Sequence, residues 1–152
     1  MLPITPLAEP MNPEQPLIDA LVTLHTRTVD SRIGLEKMLE KAEADFRPVL
    51  QQFHAVHDAH AGSIANILSA RGCTVDDDGS IMGSINRAVI AVRTLFDDVD
   101  ADLLTVIHDG ERHVLDAFSI AIAQPLPQQD VAQLSAMRDQ LVALLARYPA
   151  TV

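Results

Sequence analysis

Apolar residues recur at intervals of three and four along most of this chain, which is the spacing of one face of an α-helix. The pattern predicts five helices, over residues 15–43, 46–71, 81–96, 101–123 and 128–147. The sequence contains no strand-like alternation and no repeat of 20–50 residues. We therefore expect an all-α fold.

Helix-breaking residues divide the pattern at the expected places. Asp45 is a plausible N-cap, and Pro48 falls in the first turn of the second helix, where its missing N–H does no harm. Gly72 suits the position just after that helix. Pro125 and Pro127 end the fourth predicted helix. The short connection near residue 45 predicts an antiparallel hairpin of the first two helices.

The termini are expected to lie outside the folded domain. Residues 1–14 carry prolines at 3, 6, 10 and 13, which predicts an extended Pro-rich arm. Such an arm is either a disordered tail or a segment that packs on a neighbouring subunit. The domain itself is predicted over 15–148, and 149–152 form a C-terminal tail.

Residues 72–80, GCTVDDDGS, form a predicted loop. Asp76, Asp77 and Asp78 resemble part of a calcium loop, but the full twelve-residue ligand pattern is absent. Turn formation and N-capping by Ser80 are the favoured interpretation.

The link between the second and fourth helices is long enough to change the topology. Residues 72–100 make it about 29 residues long, and a helix of about 25 residues spans roughly 37 Å. The link can therefore run the length of the bundle and place the second and fourth helices parallel. This predicts a ferritin-like four-helix bundle with one long crossover that carries an additional short helix. A five-helix up-down bundle is the alternative.

Composition narrows the choice of partner and compartment. Hydrophobic residues make up 48% of the 152 residues, and the formal charge is −10. The negative charge argues against nucleic acid or an anionic membrane as the main partner. No apolar run approaches the roughly 18 residues of a membrane span. The single Cys73 and the absence of a signal-peptide pattern favour a cytoplasmic protein.

Several polar residues fall on the predicted inward faces, where burial without a partner would cost several kcal/mol each. His57 and His60 lie in the apolar sector of the second helix. The complete set is His25, Arg32, His57, His60, Glu111 and Arg138. These side chains should meet one another or bind something.

One interpretation is a metal site. Di-iron bundles use a Glu from each of two helices and a Glu-x-x-His from each of the other two. His57 and His60 have the matching spacing, Glu111 could add a carboxylate, and iron, zinc or manganese would suit these ligands. The last helix, however, has no His or Glu, and Arg138 would repel a dication. A mononuclear site on His57, His60 and Glu111 is therefore favoured over a two-metal centre.

The other interpretation is a buried network without metal, and it is the favoured one. Glu111 would pair with Arg138 or Arg32, and the histidines would complete the hydrogen bonds. Such a network can fix helix register even where it adds little stability.

The segment from Leu17 to Tyr148 also resembles an uncharacterised bacterial family of ferritin-like four-helix-bundle proteins, a domain of unknown function. The resemblance is carried by Leu21-x-x-Leu24 before Asp30-x-x-x-Gly34, by Arg71-Gly72, by Gly79-Ser80-Ile81-Met82-Gly83, by Asn86-Arg87 and by Gly110-Glu111. Phe118 stands where the family usually has Tyr, and the His cluster on the second helix also departs from it. The resemblance implies a ferritin-like fold and no established activity.

The favoured function is that of a non-catalytic, self-associating protein, a homo-oligomer that acts through protein contacts, including in a stress response. The alternative is a metal-binding protein that handles metal, oxygen or peroxide. No nucleophilic site is predicted, because neither Cys73 nor any serine has a supporting motif.

Overall fold

Four α-helices form the part of the chain that the computed structural model describes, residues 14–75 and 101–150. They are α1 (Gln15–Lys41), α2 (Arg47–Ala70), α3 (Ala101–Ile122) and α4 (Gln128–Arg147). No strand occurs in these two ranges, so the predicted all-α class is confirmed. The predicted short helix over 81–96, its Ser80 cap and the Asp76–Asp78 turn lie outside the described residues.

The helix ends lie where the local sequence predicts them, but one predicted cap is wrong. A proline stands in the first turn of both α1 and α2, as predicted for Pro48. The residue before α2 is Phe46, without a side-chain cap, so the predicted Asp45 cap is wrong. The amides of Phe46 and Arg47 instead bond to the carbonyl of Glu43, each at 3.1 Å. The backbone turn therefore supplies the acceptor for the amides at the start of α2, in place of an aspartate side chain.

Gly72 ends α2 in the predicted way. Its φ is +81°, and its amide bonds to the Ser69 carbonyl at 2.9 Å while the Cys73 amide bonds to the Leu68 carbonyl at 3.0 Å. A left-handed residue at this position lets the backbone close over the last turn.

Each helix packs against two others. Backbone contacts join α1 to α2 and α3, and join α4 to the same two helices. Cross-helix contacts such as Arg32 with Asp58 and Glu36 with His54 show that α1 and α2 are antiparallel. The antiparallel pairing of α2 with α4 follows from His60 with Gln140 and Gln52 with Tyr148.

The same reasoning makes α2 and α3 parallel diagonal partners. Residues 123–127 join the end of α3 to the start of α4, and His108 near the start of α3 contacts Tyr148 just after α4, so α3 and α4 are antiparallel. Because α4 is antiparallel to both α2 and α3, these two helices point the same way. The end of α2 and the start of α3 therefore lie at opposite ends of the bundle.

The interior is apolar and draws on all four helices. Its largest fully buried apolar side chains are Phe53, Phe118, Leu21, Leu24, Leu50, Ile64, Leu68, Leu134, Leu141 and Val29. The buried polar residues at the centre are therefore surrounded by hydrocarbon. None of the helices in the described ranges has the length and apolar character that crossing a membrane requires.

Candidate functional site

A direct contact between His57 and Glu111 lies at the centre of the bundle. His57 Nε2 is 2.6 Å from Glu111 Oε1, and the two side chains are 0% and 3% exposed. His57 belongs to α2 and Glu111 to α3, so the bond spans the diagonal of the bundle. With Glu111 as a carboxylate, the bond is the Nε2–H of His57 donating to Oε1.

Three further polar atoms of Glu111, His57 and His60 are buried without a hydrogen bond among the described residues. They are Glu111 Oε2, His57 Nδ1 and His60 Nδ1. Buried polar atoms are usually paired, so each of these three marks a place where a donor, a water molecule or an ion would be accommodated.

His60, one turn along α2, faces a different helix. Its Nε2 lies 2.9 Å from the side-chain oxygen of Gln140 on α4, and its ring meets Phe118 edge-on at a centroid distance of 5.8 Å. Burial lowers the pKa of His60 below its ordinary value of 6.5; proximity to His57 lowers it further, while Gln140 and Glu111 oppose the shift. His60 therefore favours the neutral form.

Arg32 belongs to a polar group at the α1–α2 surface. It lies 3.4 Å from Asp58 and 3.8 Å from Glu36, and Glu36 also meets His54 at 3.0 Å. Arg32 is 17% exposed and its two partners are about half exposed or more. Arg32 was predicted in the buried network as a possible partner of Glu111, but these contacts place it with Asp58 and Glu36 near the solvent, where the two carboxylates compensate its charge.

The predicted place of Arg138 in the core is wrong. Arg138 is exposed, and the buried positions around it on α4 are Leu134, Met137 and Leu141. Spacing from Leu134 fits either Met137 or Arg138, and the cost of burying a guanidinium decides in favour of the methionine. His25, the remaining predicted member, is 1% exposed on α1.

The predicted metal ligands do not form a complete cage. The structure brings Glu111 to His57, but the residues 14–75 and 101–150 contain no group of three or more His, Cys, Asp or Glu side chains placed to hold a metal ion. The nitrogen and oxygen nearest each other are already joined by a hydrogen bond. A site on His57, His60 and Glu111 stays a prediction that requires rearrangement of this bond.

A groove between α1 and α3 has a volume of about 710 Å³, and Asp30, Gly34, Gly110 and Glu111 are among the residues that line it.

Sequence reasoning missed three contacts. Gln140 sits at an exposed backbone position, and only the structure shows that its amide reaches His60. Tyr148 holds the end of α4 through its hydroxyl, which accepts from Gln52 at 2.9 Å, and through its carbonyl, which lies 2.6 Å from His108 Nε2. Glutamine and histidine are ordinary surface residues, so the sequence did not indicate that Gln140 and His108 make specific contacts.

Comparison with known proteins identifies a family. The model of a domain of unknown function, DUF2383, matches residues 17–124. Searches of curated proteins and of solved structures found no match. The family match covers α1, α2, α3 and the link before α3, which is well over half of the chain. The chain therefore belongs to the DUF2383 family.

Proposed function

We propose that this protein is a ferritin-like helical bundle without catalytic activity, which acts through contacts with other proteins and with copies of itself in the cytoplasm. The observation that carries the proposal is the direct bond between His57 and Glu111. In this arrangement two buried ionisable side chains of the centre are partners through one atom each.

The directions of the helices support a ferritin-like arrangement. α2 and α3 are diagonal, and the cross-helix contacts make them parallel and every neighbouring pair antiparallel. A bundle of two antiparallel hairpins joined in this way requires one crossover that runs its full length. The link between α2 and α3 has about the length that this path needs.

The burial of the bridge supports a structural role. A general acid or base must reach the proton that it transfers, within about 3 Å or through one water. His57 is 0% exposed and Glu111 is 3% exposed, so a substrate would have to enter the packed interior to reach the atoms that form the bond. A bond between diagonal helices fixes their relative register.

The surface of the second hairpin supports a partner contact. The exposed large apolar side chains of the described residues are Ile120 on α3 and Val142 on α4. Beside Val142, α4 presents Ala132, Ala136, Ala143 and Ala146, all exposed. Their intervals of four, seven and three residues place them on one side of α4, where the exposed Asp139 lies between Ala136 and Ala143.

Sedimentation of the full chain tests self-association directly. We expect a concentration-dependent dimer or larger species at micromolar concentration, and we expect Val142→Glu to weaken it at least tenfold. Ala59→Glu introduces the same charge at an exposed position of α2 and serves as the control. A chain that stays monomeric at all concentrations, or a Val142→Glu variant that assembles normally, contradicts this part of the proposal.

Metal binding is the second candidate, and one observation favours it. His57 Nδ1, His60 Nδ1 and Glu111 Oε2 are buried without a hydrogen bond among the described residues. Imidazole and carboxylate together suit iron, zinc or manganese in a mononuclear site that would act in metal, oxygen or peroxide handling.

Elemental analysis of protein purified without chelator separates the two candidates. The structural role predicts less than stoichiometric metal, equal in the wild type and in His57→Ala/His60→Ala. One metal ion per chain that is lost in this variant would instead establish the metal site.

A further inference from the structure

Two routes along the bundle are open to the link between α2 and α3. The link leaves the end of α2, where Arg71 contacts Glu14 at the start of α1 at 3.3 Å, and it joins α3 at the opposite end of the bundle. Because α2 and α3 are diagonal, a chain that connects them passes on the outside of either α1 or α4. Residues 76–100 lie outside the described ranges, so the surfaces of α1 and α4 have to distinguish the two routes.

A second apolar stripe runs along α1, on the side that faces away from the core. It consists of Val22, Val29 and Ile33, which repeat at intervals of seven and four residues. At 3.6 residues per turn, it lies about 150° around the helix from the core stripe through Leu17 and Leu24. An apolar stripe in this direction is favourable only when another segment packs on it.

The burial of this outward stripe is local. Val29 is 0% exposed, and Val22 and Ile33 are half-buried. Glu36 lies seven residues after Val29, at nearly the same angle around α1, and its side chain is 49% exposed. Glu40, which follows on this side, is also exposed. The outward side of α1 is therefore buried up to Ile33 and open to solvent beyond it.

Beyond Ile33 the burial continues on the side of α1 that faces α3. Gly34 and Met38 are buried there and line the groove of about 710 Å³ between the two helices. At one end of this groove Arg27 donates to the backbone oxygen of His113 at 3.0 Å. Since α1 and α3 are antiparallel, the other end, at Met38, points to the start of α3, where the link joins the bundle. The buried surface thus crosses α1 obliquely toward the start of α3.

The outside of α4 has a different surface. Its outward positions are all exposed, and they are Ala132, Ala136, Asp139, Ala143 and Ala146. A link that ran along α4 would bury this side and leave the apolar stripe of α1 bare. The contrast between the two helices favours the route over α1.

The link has the length and the apolar residues that this route needs. A helix over 81–96 would span about 24 Å, and the nine other residues of 76–100 reach up to about 30 Å more. The 27 residues of α1 span about 40 Å. The apolar positions of the link at helical spacing are Ile81, Ile85, Val89, Val92 and Phe96. One face of such a helix would pack on α1 while its polar face stays in the solvent.

We propose that residues 76–100 run along the outside of α1 and pack their apolar stripe on Val22, Val29 and Ile33 and into the groove at Met38. This rests on the proposed ferritin-like arrangement and deepens it by assigning the route of the crossover. It also leaves α4, and not α1, as the outer helix that is open to contacts with other proteins.

Paramagnetic broadening of amide signals distinguishes the two routes. The full isotope-labelled chain carries Cys73→Ser and Ala88→Cys, with a nitroxide attached at position 88. We expect the amides around Val29 and Ile33 to lose most of their intensity relative to the reduced label. Amides around Ala136 on the outside of α4 should keep most of theirs, because the width of the bundle separates them from the label. Strongest broadening on α4, or broadening on neither helix, would overturn the proposal; the α4 result would leave a crossover in place and reject only its route.

A mixed sample shows whether the contact lies within one chain. Isotope-labelled chain without nitroxide is combined with unlabelled chain that carries it. We expect no broadening around Val29 in this sample. Broadening there would assign the stripe to a second copy of the chain and would contradict the proposal, whatever sedimentation shows for Val142→Glu.

Trypsin digestion tests whether the stripe holds the link in place. The link contains Arg87 and Arg93, and packing on α1 should protect both bonds. Ile33→Glu should speed cleavage there by about tenfold or more, whereas Ala59→Glu, at an exposed position of α2, should not. Cleavage after Arg112 in α3 reports opening of the whole bundle and should stay unchanged. Equal cleavage of the link in the two variants, or an equal rise after Arg112, would show that Ile33 does not hold the link and would contradict the proposal.

Discussion

His57 on α2 donates a 2.6 Å hydrogen bond to Glu111 on α3, although the backbones of these helices are diagonal partners that do not pack directly on each other in the described bundle. The apolar contacts of each helix with its two neighbours are non-directional. A short polar bond in a hydrocarbon surrounding adds a directional constraint, because sliding either helix leaves two buried groups without partners. The bond therefore specifies the register of α2 against α3.

Replacing glycine by alanine should have opposite effects inside α2 and just after its end. Gly72→Ala places a side chain at φ +81°, which costs about 1 kcal/mol. Gly62 lies inside the helix with open space around its Cβ position, so Gly62→Ala should stabilise by about 0.5–1 kcal/mol through helix propensity. Urea unfolding of both variants measures the two values. If both substitutions stabilised the chain, or both destabilised it, the end of α2 would not have the described geometry.

The free energy of unfolding should depend on pH through His60. Its pKa is lowered in the folded chain, so above pH 6.5 both folded and unfolded chains hold it neutral and its contribution to stability is complete. As the pH falls below 6.5, the unfolded chain gains a proton that the folded chain does not, and stability decreases until the folded pKa is reached. The slope from this group is at most about 1.4 kcal/mol per pH unit.

The control for this prediction is His60→Gln. This variant should show a shallower fall in stability below pH 6.5 than the wild type, because the titrating group is gone. Parallel curves for the two chains would show that His60 does not carry the effect.

Arg32 and Arg138 were both predicted in the buried polar network, but their substitution should have different effects on stability. Arg32→Met loses contacts with Asp58 and Glu36 and should cost up to about 1 kcal/mol at low salt. The loss should shrink in about 1 M salt, where the screening length is roughly 3 Å. Arg138→Met removes an exposed side chain and should change stability by less than about 0.5 kcal/mol. A large loss of stability in Arg138→Met would show that Arg138 is buried in the core.

The sequence predicts the helices well because their signals are local. The apolar spacing gave the bounds 128–147 for α4 unchanged, and Gly72 and Pro48 marked the ends of α2. The Asp45 cap failed because a backbone turn competes with a side-chain cap, and the sequence does not say which one forms.

The site was less predictable, since it depends on which helices face each other. Spacing placed His57 and Glu111 on inward faces, and the structure joins them. The same spacing did not distinguish Met137 from Arg138, which differ by one position on α4. Gln140 as the partner of His60 and the groove beside Glu111 arise only from packing, because they combine residues about 80 positions apart in the chain.

The central claim is that His57 and Glu111 stabilise each other across the bundle, and a double-mutant cycle in the free energy of unfolding tests it most directly. The cycle compares His57→Leu, Glu111→Leu and the double variant, with His57→Leu combined with Arg138→Met as the matched pair without contact. The account predicts that each single variant is strongly destabilised and that the double variant is more stable than the sum of the two losses implies, by about 1.5–3 kcal/mol. Losses that add within about 0.5 kcal/mol, as expected for the pair without contact, would contradict it.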